Sequence, residues 1–358
     1  MAAYTPFLKF KQNEILALAE LPKHVSGSMC PFFDVPRPQN QTEAGIVARL
    51  NLGVSRLLPR LPRMRFYIDN YDLDDSIPVG GLTQYQYILN TVAGFDVIPV
   101  IALNRSADHN PAALGFMSGR IRKELALRLT RGDLDSFGLT KSLLSPLWSQ
   151  VMAAGPQSVH LILDLRIISE DLDSLVDILS SFLILFQNDF SVSKIVVSGS
   201  SLSPLIGDVV ATHSENEIDR LESLLWSKLH LKLPSSTLNI LDYGDYGHVS
   251  PEYSDADLDP RILRSVSTPK VFYTHGSKLH VIRGGSFKTT PSGNGQFYQI
   301  ADVLVQKKFY RGAGYSYGDS YIYDRSVHAK PRASKGGSQG SWIKATQNSH
   351  IVYIVNTI

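Results

Sequence analysis

Val159-His160-Leu161-Ile162-Leu163-Asp164-Leu165 and, further along, Lys194-Ile195-Val196-Val197-Ser198 decide the fold. Both runs are short and nearly continuous in apolar, largely branched residues. That is the pattern of strands covered by helices on both faces. Between them, Asp171–Gln187 (DLDSLVDILSSFLILFQ) sets its apolar residues at helical spacing. A strand, a helix and a second strand in this order make one βαβ unit, which takes about 30 residues.

The same rhythm runs outward from this unit. Strand-like runs occur at Thr5–Phe10, Met29–Val35, Met64–Asp69, Val97–Leu103 and Glu124–Thr130, and another follows at Leu238–Asp242. Helical stretches are predicted at Asn13–Leu21, Thr83–Val92 and Glu215–Leu229. For the last, Ser214 is the expected N-cap, with Glu217 completing a capping box. Eight such units predict an α/β fold, a TIM-like (β/α)8 barrel over residues 1–250. The competing open doubly wound sheet lacks its glycine-rich first turn, because Lys11-Gln12-Asn13-Glu14 follows the first strand.

From residue 251 to 358 the texture changes. Alternating segments at Lys270–Tyr273, Lys278–Arg283, Ser320–Tyr323 and Ile351–Val355 predict a small β-rich C-terminal region. One helix, Gln296–Phe309, interrupts it, and a basic, glycine- and serine-rich loop spans Asp324–Gly340.

Composition excludes several classes. Of the 358 residues only Cys30 is a cysteine, which rules out a disulfide framework and cysteine-based zinc modules. The formal net charge is +2, which argues against a globally electrostatic nucleic-acid binder. No apolar run reaches the roughly 18–20 residues of a membrane span. The opening MAAYTPFLKFK lacks a signal-like apolar core, so a soluble, cytoplasmic protein without a membrane partner is expected.

Barrels carry their chemistry at the C-terminal ends of their strands. That rule selects Lys9, Asp34, Asp69, Arg128, Asp164 and Asp242 as a candidate catalytic pocket, with Asp72, Arg105 and Arg166 just beyond strand ends. Asp164 stands out, because a carboxylate in so apolar a strand is costly unless paired; Arg128 or Arg166 is its expected partner. The competing reading makes the same charges a set of rim and interior ion pairs. Ser198-Gly199-Ser200-Ser201 is a candidate phosphate turn, where a small-residue loop leaves backbone N–H groups free for an anion. Asp69, Asp72, Asp74 and Asp75 offer oxygen ligands for a magnesium-type ion, but the safer reading is a solvated loop, and no metal site is assigned. Arg49, Arg56, Arg60, Arg63 and Arg65 occur with no acid among them, a candidate contact for nucleic acid or an acidic partner.

Other motifs fail on context. Gly314-Tyr315-Ser316-Tyr317-Gly318 spells a nucleophile elbow but lacks the strand before it. There is no P-loop and no H-E-x-x-H zinc motif. Lys9 or Lys11 could form a Schiff base with pyridoxal phosphate, but no partner set accompanies them. No cofactor is therefore assigned.

A family resemblance runs through the chain. Tyr4-Thr5-Pro6-Phe7-Leu8-Lys9-Phe10-Lys11 with Glu14 and Ala17-Leu18, then Pro31-Phe32-Phe33-Asp34, Leu127-Arg128-Leu129, Leu163-Asp164-Leu165 and Asp242-Tyr243-Gly244 carry its first part. Gln296-Phe297-Tyr298, Tyr315-Ser316-Tyr317-Gly318-Asp319, Trp342 and Ser349-His350-Ile351 carry the rest. In this order they resemble the Beta protein family of phages, prophages and mobile elements. One member belongs to a satellite-phage cassette associated with abortive infection. The resemblance implies a role in phage–host conflict, with a protein partner from the same cassette or a phage component. It supplies no catalytic set, and Ser349 stands where a second histidine beside His350 is more usual.

Three functions are therefore expected to compete. The first is a recognition protein in phage defence or toxin-associated immunity. The second is a barrel enzyme acting on a phosphate-containing substrate. The third is a nucleic-acid-binding protein.

Overall fold

The computed structural model describes residues 4–39, 41–253 and 267–358. The chain divides into two compact units, the first comprising residues 1–15, 28–200 and 221–246, the second 16–27, 201–220 and 247–358.

The first unit is a closed parallel barrel of eight strands. They are β1 (Tyr4–Lys9), β2 (Phe32–Asp34), β3 (Arg65–Asp69), β4 (Asp96–Ala102), β5 (Glu124–Thr130), β6 (Ser158–Ile167), β7 (Lys194–Ser200) and β9 (Leu241–Asp245), with β9 pairing back onto β1. Helices alternate with the strands, which gives the TIM-like (β/α)8 architecture. Their starts are locally encoded. Thr42, Ser136 and Asp171 each accept a hydrogen bond from a backbone N–H in the first turn of the helix that follows. Helix Leu172–Asp189 buries Leu175, Val176, Leu179, Phe182, Leu183 and Phe186, the stripe its spacing predicts.

Alternation along the strands fills the barrel. Phe7, Phe32, Tyr67, Ile98, Val100, Ala126, Ile162, Val196 and Tyr246 form one buried cluster. Phe7 and Phe32 stack at 4.6 Å between centroids, and Phe32 and Tyr67 at 5.6 Å. Two residues further along several strands, where the period of two repeats the inward orientation, come Lys9, Asp34, Asp69, Arg128 and Asp164. A packed aromatic layer thus supports a charged one.

The last barrel strand is displaced from its expected position. Ser235–Leu238 is a helical turn entered through Pro234, and the strand begins only at Leu241. Asp242 therefore opens the strand instead of closing it.

The second unit contains a three-stranded antiparallel sheet in the order β10 (Lys270–His275), β11 (Lys278–Arg283), β8 (Ser214–Asp219). Ser214–Asp219 is a strand, not the expected helix start, because it pairs residue for residue with Lys278–Arg283. The helix follows at Leu221–Lys232. The expected strands Ser320–Tyr323 and Ile351–Val355 are also helical, within Tyr317–Tyr323 and Gln339–Thr357. With Gln296–Val305 these make three helices where one was expected. Val271, Tyr273, Phe297, Ile300, Leu304, Ile322 and Trp342 form their common core. Ser316, the serine of the elbow-like motif, is the N-cap of Tyr317–Tyr323 and accepts from the Asp319 N–H at 3.0 Å.

Gly318 explains how closely two of these helices approach. A Cβ there would lie 1.9 Å from the Ala345 carbonyl oxygen, a backbone atom that cannot swing away. Gly318→Ala is therefore expected to cost about 3 kcal/mol by overpacking, while Gly314→Ala, where a Cβ meets nothing within 4 Å, should cost little. Urea denaturation of both variants tests this. Equal midpoints would show that the helices are not held so closely.

Candidate functional site

The barrel mouth is built around one side chain. In β5, Leu125, Leu127 and Leu129 pack outward, so Ala126 and Arg128 face the interior. The Arg128 side chain is 0% exposed. Its Nη1 donates to Asp34 Oδ1 and Asp69 Oδ2, both at 2.7 Å, and its Nε donates to Asp164 Oδ2 at 3.1 Å. Nη2 reaches Asp34, Asp164 and, at 3.3 Å, the Tyr246 hydroxyl. Tyr246 in turn donates to Asp164 Oδ2 at 2.8 Å. All three guanidinium nitrogens are engaged.

Three carboxylates around one cation leave a negative excess, and a second ring of cations removes it. Arg105 pairs with Asp69 at 2.5 Å. Lys9 lies 3.5 Å from Asp34 and also bonds Asp72, while Arg166 lies 3.5 Å from Asp72. Four cations thus face four carboxylates. Burial pushes the Asp34 carboxyl upward, but Arg128 and Lys9 overcome it and hold Asp34 well below the usual carboxylate range. Asp72 moves the other way, raised by burial and then by the Asp34 charge. Burial likewise raises the Tyr246 hydroxyl far above its ordinary value, and Asp164 adds to it. Tyr246 is therefore a fixed donor and does not titrate near neutrality.

Tyr71, in the loop after β3, caps this network. Its ring centroid lies 4.4 Å from the Arg128 guanidinium carbon, 4.6 Å from that of Arg166 and 5.0 Å from that of Arg105. Arg128 also stacks 4.9 Å from Phe32. Arg166 reaches Tyr71 through a left-handed backbone, φ 56°, at an irregularity of β6 between Asp164 and Ile167. A non-glycine residue held there stores strain, which the surrounding contacts must offset. Beside Tyr71 a cavity of about 290 Å³ is lined by Leu103, Asn104, Arg105, Arg128, Thr130 and Asp133, among others.

The six residues expected to share a pocket therefore separate. Lys9, Asp34, Asp69, Arg128 and Asp164 form one network. Asp242 does not join it: the displaced strand places it at the opposite barrel end, where it bonds Lys194 at 2.5 Å. Asp245 and Tyr246 take the mouth end of that strand instead, and Asp245 accepts from the Tyr4 hydroxyl at 2.6 Å. The phosphate turn also needs correction. Ser198, Gly199 and Ser200 lie within β7, their backbone committed to the ladder with β6 and β9, and only Ser201 lies beyond the strand. Amides bound in a sheet do not cradle an anion.

The acidic cluster disperses as well. Asp69 and Asp72 serve the cations above, Asp74 accepts from Ser76, and Asp75 accepts from Asn70. Among the described residues no group of three or more His, Cys, Asp or Glu side chains is placed to hold a metal ion. Of the arginine run, Arg49, Arg60 and Arg63 are exposed and Arg56 is half-buried. Arg65 belongs to the barrel floor and pairs with Glu124. Tyr71 and Tyr246 are the mouth residues that sequence reasoning missed. Tyr246 follows the strand whose position was misjudged, and Tyr71 sits in a loop that periodicity does not read.

Two measurements follow from this geometry. Arg128→Met removes the cation shared by Asp34, Asp69 and Asp164, leaving Lys9 beside the first and Arg105 beside the second, and is expected to cost about 3–5 kcal/mol in urea denaturation; a loss below about 1 kcal/mol would contradict the network. Glu14, buried and bonded to the Lys9 N–H, is pushed up to about 7 by burial, against the pull of Lys11. Its folded-state pKa exceeds the unfolded value, so its stabilising share is full below about pH 4.5 and is lost by about pH 7. Glu14→Gln keeps an acceptor and removes that loss. Across this window its stability relative to the parent should rise by about 3 kcal/mol, and a pH-independent difference would contradict the assignment.

A comparison with curated proteins finds no match. No helix among the described residues is long and apolar enough to cross a membrane. The model of the Beta protein family matches residues 4–356, nearly the whole chain. The barrel signature, the order of the motifs and this match agree, and the chain belongs to the Beta protein family.

Proposed function

We propose that this protein acts in phage–host conflict by recognising a protein partner or a phage component, with the barrel as its rigid scaffold. One observation carries the reading: Arg128 and its carboxylates occupy the place where a barrel enzyme would hold substrate, and they satisfy one another. A guanidinium with every nitrogen bonded inside the protein has no donor left for a ligand. The role in conflict, in antiphage defence or toxin-associated immunity, rests on family membership. The partner on this reading is encoded in the same cassette or by the phage, and the protein works in the cytoplasm.

A second reading has its own support. The cavity beside Tyr71 exposes parts of Arg105, Asn104 and Thr130, polar groups of the kind that orient a phosphate-containing substrate. The strained Arg166 backbone at the same mouth also fits an active site.

Phage plating on cells carrying the protein distinguishes the two. Asn104→Ala and Tyr71→Phe alter the cavity and leave the ion pairs in place. Recognition by an outer surface predicts that both variants keep the full biological effect. Loss of the effect with unchanged thermal melting would overturn that reading in favour of the enzyme.

A further inference from the structure

The outside of the barrel carries many cations, and several are answered by an acid. Arg122 pairs with Asp96, Arg131 with Asp135 and Glu170, Lys141 with Asp189, Lys228 with Asp173 and Lys232 with Asp177. One stretch stands apart. No acidic residue occurs between Glu43 and Asp69, while Arg49, Arg56, Arg60 and Arg63 fall within it. Among the described residues none of these four makes an ion pair; Arg56 Nε donates to the Gln12 side chain at 3.2 Å and Arg60 donates to the Arg56 carbonyl at 3.5 Å.

Helical geometry gathers them. Helix Glu43–Leu57 buries Ile46, Leu50, Gly53 and Leu57 along one line. At about 100° per residue, Arg49 and Arg56 then share one flank of that helix, about 10 Å apart along its axis. Arg60 continues the flank from the turn that follows. Lys11 lies near the same flank. Its ammonium pKa is lowered chiefly by burial and also by the positive charges of Lys9 and Arg49, against the pull of Glu14.

We propose that this arginine flank of Glu43–Leu57, with Arg60 and Arg63, is a docking surface for the phosphate backbone of a nucleic acid. The spacing favours a polymer of phosphates over a single anion. Arg49 and Arg56 stand about 10 Å apart along the helix, too far for one phosphate to serve both. A duplex presents a negative charge about every 1.7 Å of its axis and can meet them all. The residue type suits phosphate, since guanidinium binds it bidentately and is weakly hydrated for a cation. Contacts to the phosphate backbone carry no sequence information, so binding is expected to be independent of sequence. The proposal is separate from the partner recognition above and uses none of the mouth residues.

Fluorescence anisotropy with a labelled mixed-sequence oligonucleotide, single-stranded and duplex, tests it on the full chain. Binding should weaken steeply with salt, with a log–log slope of about −3 to −4 for the duplex if four phosphates are contacted. Arg49→Gln/Arg56→Gln/Arg60→Gln should weaken binding at least about tenfold and flatten the slope by about 2–3. Arg122→Gln, elsewhere on the barrel, serves as the control and should bind as the parent does. Thermal melting of each variant separates lost binding from lost fold. Salt-insensitive binding, no binding at low salt, or a triple variant that binds like the parent would overturn the proposal. So would preference for a polyglutamate peptide, which would make the surface one for acidic proteins.

Discussion

The Arg128 guanidinium is the interaction on which the barrel mouth depends. An unpaired arginine in this position would be among the costliest groups to bury. Asp34, Asp69 and Asp164 compensate it from three different strands, and each of those carboxylates would itself be untenable alone. The network therefore ties β2, β3, β5 and β6 together, and Tyr246 adds the last barrel strand through Asp164. Strand register has to be right for the charges to meet. A slip of one residue in β5 would turn Arg128 outward among the helices.

This arrangement also explains the aromatic character of its surroundings. Phe32 and Tyr71 present ring faces to the guanidinium, and these faces attract it without consuming its N–H groups. Tyr71 is shared by Arg105, Arg128 and Arg166, so the loop after β3 is held down by the cations that neutralise the mouth. The result is a rigid, electrically balanced end to the barrel. Such an end suits a scaffold that presents outer surfaces, with a small cavity beside Tyr71.

How much of this could be read in the sequence depended on the source of each signal. The barrel was legible because buried parallel strands are apolar throughout and recur at the spacing of βα units. The mouth was legible wherever a strand was correctly placed, since alternation then assigns Lys9, Asp34, Asp69, Arg128 and Asp164 to the interior. Asp242 was misplaced because Leu238-Asn239-Ile240 resembles a strand start but belongs to a helical turn and its exit. In the second unit the signals failed for two reasons. Gln339–Thr357 is buried from Ala345 to Val352 without a break, so it shows no amphipathic period and its Ile351–Val355 end reads as a strand. Ser214–Asp219 is a polar segment that becomes a strand only by pairing with Lys278–Arg283, a partner distant in sequence.

Exchange of the Arg128 Nε hydrogen with solvent, followed by nitrogen-15 NMR, tests the central claim most directly. A guanidinium sealed among Asp34, Asp69, Asp164, Phe32 and Tyr71 should exchange only when the barrel opens, at a rate matching the most protected backbone amides of β5 and β6. Exchange as fast as that of an exposed arginine would contradict the account. It would mean that the barrel mouth is open to water, with its charges free to meet a substrate.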